Sequence, residues 1–130
     1  MNNVIFAEKY QTMDSKKLDK DLSEIIRKKQ ELDKLDYNDP KYDDLEDELH
    51  DLEDSFVDEF GEYLEEKLQE VHDKFCPDTD VLSPTAYIGK GIVIDLEKYP
   101  GKEARLVLNS NPTRIALAVR DQQEVVWKAD

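Results

Sequence analysis

Asp43, Asp47, Asp51, Asp54, Asp58 and Glu62 recur every three or four positions, and Glu66 continues the step. On a helix that spacing stacks carboxylates along one face. Such a row can hold a divalent metal for hydrolysis, imitate the charge of a nucleic-acid backbone, or attract a basic protein surface. The plain alternative is a solvated helix face that keeps the chain soluble.

The metal chemistry lacks parts. Two-metal carboxylate sites in helical bundles draw acids from several helices and use two Glu-x-x-His elements. Here Asp47 and His50 stand at that spacing without a second pair, and His50 points outward if Leu49 and Leu52 point in. His72 and Cys76 lie one turn apart, but two ligands do not complete a tetrahedral site. Cys76 also falls near a helix C-terminus, where the dipole disfavours a thiolate nucleophile. Gly89-Lys90-Gly91 holds two of the four glycines and reads as the start or bulge of a strand rather than a phosphate loop. The expectation is no catalytic residue, no metal ligand and no cofactor, with Asp43, Asp47, Asp51, Asp54, Asp58 and Glu62 as the partner-binding residues.

Charge sharpens that expectation. Between Asp39 and Glu66 fourteen acids face a single base, Lys41. Before residue 81 there are 26 acids and 11 bases, for a net −15; from residue 81 onward there are 6 and 7, for +1. The N-terminal part repels phosphate backbones and anionic lipid, so direct nucleic-acid or membrane binding is disfavoured and a cationic partner favoured. Like charges one turn apart cost a few tenths of a kcal/mol per pair, on the order of 1 to 2 kcal/mol over the row at low salt. Lys16, Lys20, Arg27 and Lys34 of the preceding segment are the expected internal relief. That relief is incomplete, because from Asp14 to Asp36 seven bases are already matched by seven acids. One cysteine, Cys76, allows no internal disulfide and fits a reducing, cytoplasmic setting. No stretch has the length of a membrane span, and Val4-Ile5-Phe6 is too short for a secretory signal and reads as a strand or docking arm.

The elements that must carry the row follow from apolar periodicity. Leu18, Leu22, Ile25, Leu32 and Leu35 mark one face of a helix from about Ser15 to Leu35, capped by Asp14 or Ser15, with Lys29 in an apolar slot burying its stem. Asp36 to Pro40 is a turn, in which Asn38 or Asp39 caps the next helix. Tyr42, Leu45, Leu49, Leu52 and Phe56 alternate steps of three and four, then Phe60, Leu64 and Leu68 step by four, and Pro77 stops the helix. So short a connection folds the helices back antiparallel about Asn38, and the longer second helix outruns its companion.

From Thr85 the period becomes two. Ile92, Ile94 and Leu96; Leu106 and Leu108; Ile115, Leu117 and Val119; and Val125 with Trp127 form one apolar face, broken by turns at Pro100-Gly101, Asn111-Pro112 and Asp121 to Gln123. Val93, Val107, Ala116, Ala118 and Val126 then lie on the opposite face, which is weakly apolar and suits a second copy or a partner chain.

The sequence therefore predicts an α+β fold within one domain. A long, coiled-coil-like antiparallel helical hairpin over 12–76 is followed by an antiparallel β-meander of three to four strands over 81–130, packed on the end of the second helix. The function expected is a non-enzymatic acidic interaction module for a protein with a basic surface, with homodimerisation through the sheet or hairpin as a further contact. The alternatives are an inhibitor or immunity-type protein that mimics nucleic-acid charge, and a metal-dependent hydrolase.

Overall fold

The computed structural model describes residues 14–96 and 103–129. The expected arm at Val4-Ile5-Phe6 and the turn at Pro100-Gly101 lie outside the described residues.

Helix α1 spans Ser15–Asp33 and helix α2 spans Tyr42–Phe75, 19 and 34 residues long. At about 1.5 Å per residue they measure roughly 28 and 51 Å, so α2 overshoots α1 as its pattern requires. Asp14 caps α1 with a side chain that accepts from the Lys16 and Lys17 amides. Asp39 organises the entry to α2: its Oδ1 accepts from the Lys41 amide at 2.9 Å and its carbonyl accepts from the Tyr42 amide at 3.0 Å. At the tip, Tyr37 packs against Tyr42 with ring centroids 4.9 Å apart and the planes tilted by 43°.

The two helices are antiparallel and bury one seam. Leu18, Leu22 and Ile25 of α1 meet Leu49, Phe56, Phe60 and Leu64 of α2, and all seven belong to one continuous core. After α2, Pro77 stops the helix and a 3-10 turn over Pro84–Tyr87 drops Tyr87 into that core, fully buried. The sequence pattern gave no sign of this turn.

Four antiparallel strands follow in meander order: β1 (Ile92–Ile94), β2 (Ala104–Asn109), β3 (Arg114–Val119) and β4 (Gln122–Lys128). Leu106 pairs with Leu117, and Leu108 with Ile115, so the period-two residues of β2 and β3 present one apolar face to the helices. Gly91, at φ +75°, leads into β1 where a Cβ would collide with the Leu106 carbonyl, the physical reason for glycine at this strand start.

Strand β4 departs from simple alternation. Ile115 pairs with Trp127 but Ala116 pairs with Val125, so Val126 is an extra residue in a β-bulge. Trp127 therefore reaches the core and meets Tyr63 edge-on at 6.0 Å, while Val125, expected to face inward, is 53 % exposed. Val126, expected on the outer face, is half-buried against the core. The bulge is a property of strand pairing, which alternation within one strand does not reveal.

The sheet packs not only on the far end of α2. Asp19 of α1 accepts at Oδ1 from the Asn111 amide at 2.8 Å and from the Thr113 hydroxyl at 3.0 Å, fastening the β2–β3 turn to the hairpin.

Candidate functional site

Asp43, Asp47, Asp51, Asp54, Asp58 and Glu62 are all exposed on α2. At about 100° per residue they occupy an arc about 100° wide, centred opposite Leu49, Phe56 and Phe60. The helix hairpin creates that placement directly: the apolar seam fixes which side of α2 faces α1, and the carboxylate row is what remains on the back. Over 20 residues it runs roughly 28 Å along the helix.

The flanks of α2 behave differently from its back. Lys17 of α1 bonds Glu59 across the hairpin and Asp21 within its own helix, and its ammonium lies 5.5 Å from the Phe60 ring centroid. Lys28 donates to Glu48 at 3.0 Å, and Lys29 lies 4.0 Å from Glu53. These three lysines differ from the set expected from sequence. Arg27 bonds Glu31 inside α1, and Lys16, Lys20 and Lys34 make no ion pair among the described residues. Geometry selects the lysines: Lys17 and Glu59 are equally distant in sequence from Asn38, as are Lys28 and Glu48, so a hairpin that turns there brings each pair side by side. That symmetry was the signal available in the sequence.

Asp43, Asp47, Asp51, Asp54 and Asp58 make no ion pair among the described residues, because α1's lysines are on the wrong side of α2 to reach them. No Lys or Arg occurs between Tyr42 and Glu66 to answer them from within the helix. The hydrogen bonds that Lys17 donates to Glu59 and Asp21 hold its ammonium pKa above the ordinary value.

His50 is exposed beside the row, and among the described residues no three His, Cys, Asp or Glu side chains converge as metal ligands would. His72 and Cys76 serve the interior instead. His72 is fully buried, its ring bonded to the Thr79 carbonyl and the Tyr87 hydroxyl. Cys76 is 2 % exposed, and burial pushes its thiol pKa up, the opposite of what a nucleophile needs. Among the described residues no helix is long and apolar enough to cross a membrane.

Comparison of the chain with protein-family models, curated proteins and solved structures gives no match. The functional reading therefore rests on the geometry of this molecule.

Proposed function

We propose that the protein is a non-enzymatic interaction module that offers the back of α2 to a protein partner with a basic surface, in the cytoplasm and without direct contact to nucleic acid or membrane. The observation that carries this reading is the division of α2's carboxylates into two classes. Those on the flanks are answered by Lys17, Lys28 and Lys29, whereas Asp43, Asp47, Asp51, Asp54 and Asp58 project together into solvent without an ion-pair partner among the described residues. Glu62 extends the same face.

A basic partner relieves repulsion among carboxylates spaced one turn apart, and it gains rate from steering by a field of one sign. Affinity from this source falls as salt rises, since exposed charges are screened over about 8 to 10 Å. Binding of a basic partner captured from lysate, followed as a function of ionic strength, tests the reading. Asp47→Lys/Asp51→Lys/Asp54→Lys abolishes that binding; a partner that ignores both the substitutions and salt overturns the proposal.

A second reading in the same geometry is an inhibitor or immunity-type protein whose carboxylate row stands in for a phosphate backbone. The long uninterrupted run without Lys or Arg favours it. Competition separates the two: a mimic is displaced from its target by DNA or RNA, an interaction module is not. A hydrolase using the same carboxylates would need them gathered around a cation, and a rise in unfolding temperature with Mg2+, Mn2+ or Zn2+ would be its signature.

A further inference from the structure

We propose that the outward face of the sheet is the interface of a homodimer, in which two copies stack sheet on sheet with their strands crossing near right angles. The face is independent of the acidic row. It is built from alternate residues of all four strands: Val107, Ala116 and Val125 form one cross-strand row, and Val93, Arg105 and Ala118 the next. A solvated antiparallel face normally alternates to polar side chains, yet here Val93 is 58 % and Val125 53 % exposed, flanking Arg105 and Gln123, while Ala116 lies buried at 3 % between Val107 and Val125. Both helices pack on the other side, so no described element covers it. The alanines of the central strand leave it low enough for a second sheet to approach to the usual distance of about 10 Å.

Charge names the occupant. On this face Asp95 marks one corner, beside β1 and β2, next to a Glu103 already bonded to Arg105 at 2.8 Å, and Lys128 marks the diagonally opposite corner beside Arg114, whose guanidinium is held by the Ser110 and Pro112 carbonyls. Four strands about 4.8 Å apart and six residues at about 3.4 Å make the face close to square. A two-fold axis along its other diagonal places each acidic corner over the basic corner of the second copy, and on a square that operation turns one set of strands across the other at close to 90°, the orthogonal class of sheet packing.

The net charge of −14 does not oppose this arrangement. It leaves the acidic hairpins outermost, separated by two sheets, roughly 30 Å apart when layers are about 10 Å thick, and that exceeds three Debye lengths of about 8 Å. Hairpin-to-hairpin association would bring the carboxylate rows together instead. The flat face projects on the order of 400 Å² per copy, so the dimer belongs to the small, concentration-dependent class of interfaces.

Sedimentation of the full chain from about 1 to about 200 μM tests the proposal. The expected result is a mass rising from 15.2 kDa toward twice that value. Val93→Lys/Val125→Lys alters two half-exposed positions, keeps the circular dichroism spectrum, and lowers the association constant at least tenfold. Asp95→Lys and Lys128→Asp each weaken the dimer severalfold, and the double exchange restores it, because each residue meets the other's copy across the axis. The dimer persists at high salt, where binding to a basic partner is lost, so the two readings fail separately. A wild-type chain that stays monomeric at the highest concentration, a dimer untouched by Val93→Lys/Val125→Lys, or a double exchange weaker than either single one overturns the proposal.

Discussion

His72 Nε2 lies 2.9 Å from the Tyr87 hydroxyl in the interior of the protein, and the two rings meet edge to face at 85°. The hydrogens of this contact are assigned by their neighbours. Thr79's carbonyl, 2.8 Å from Nδ1, can only accept, so Nδ1 carries the hydrogen and Nε2 is the acceptor. Tyr87 therefore donates to His72, while its oxygen accepts from the Leu82 amide at 3.0 Å. One buried chain of donors and acceptors thus ties the last turn of α2 to the segment that introduces the sheet.

Tyr87→Phe keeps the ring and strands two partners, the Leu82 amide and His72 Nε2. A buried polar group left unpaired costs about 1–3 kcal/mol, so urea denaturation should show a loss within that range or somewhat above it. His72→Phe should also destabilise, and the double variant should lose less than the two singles together, since neither leaves the other's partner orphaned. Strict additivity would mean that the two side chains act independently.

Asp19 makes the longest-range polar contact described, to residues 92 and 94 positions away. Asp19→Ala leaves the Asn111 amide and the buried Thr113 hydroxyl without their acceptor, at a cost of about 1–3 kcal/mol. Asp19→Asn retains an oxygen and should recover about half of that. Amide exchange at Asn111 is the local readout: it should accelerate in Asp19→Ala well beyond the change in global stability, and exchange that tracks global unfolding alone would contradict the clamp.

Apolar spacing made most of this fold legible, because Leu18, Leu22, Phe56 and Leu64 must share a seam for either helix to be stable. The same spacing placed the carboxylate row, since whatever lies opposite a buried seam is exposed. What escaped was everything decided by pairing between distant segments. Val125 and Val126 exchange places through a bulge that depends on β3, and Asp19 finds Asn111 only once the sheet has formed. His72 reads in sequence as a polar residue near Cys76, and only the 3-10 turn that inserts Tyr87 shows it to be part of the core. Lys17, Lys28 and Lys29 rather than their neighbours reach α2 because the pairing depends on where the hairpin turns.

Gly91 and Gly89 both have positive φ, yet they answer different demands. A Cβ at Gly89 meets nothing within 4 Å, so Gly89→Ala should cost only the backbone strain, about 1–2 kcal/mol. At Gly91 the same methyl strikes the Leu106 carbonyl and the Val107 side chain, which are fixed in the sheet. Gly91→Ala should therefore be the more damaging by about 2 kcal/mol or more, and it should reduce protection of the β1–β2 amides. Equal losses at the two positions would refute the close approach.

Alkaline pH should loosen the fold. Burial raises the Cys76 thiol pKa, so the unfolded chain loses this proton first, from about pH 8.5, and stability present below that pH declines as pH climbs through the folded value. Tyr87, raised by burial, and Lys17, raised by its bonds to Glu59 and Asp21, act in the same direction from above about pH 10. Cys76→Ala should lower stability at neutral pH but flatten its slope above about pH 8.5. An unchanged slope would remove Cys76 from the account. Native protein should also resist thiol reagents until it unfolds.

If the exposed carboxylates serve a partner, removing their charge should not harm the fold. Asp47, Asp51 and Asp54 stand one turn apart without counterions among the described residues, so each neutralised member relieves like-charge pairs worth about 0.2–0.5 kcal/mol at low salt. Asp51→Asn, which has acidic neighbours one turn away on both sides, should raise stability by several tenths of a kcal/mol in dilute buffer and by almost nothing at about 1 M salt, where the Debye length is about 3 Å. Glu48→Gln on the flank should behave oppositely, because it removes the negative charge that pairs with Lys28. Equilibrium unfolding of the two variants at both salt concentrations checks the contrast. If Asp51→Asn destabilises the chain at low salt, that carboxylate is structural, and the division of α2 into an answered flank and an unanswered back would be wrong.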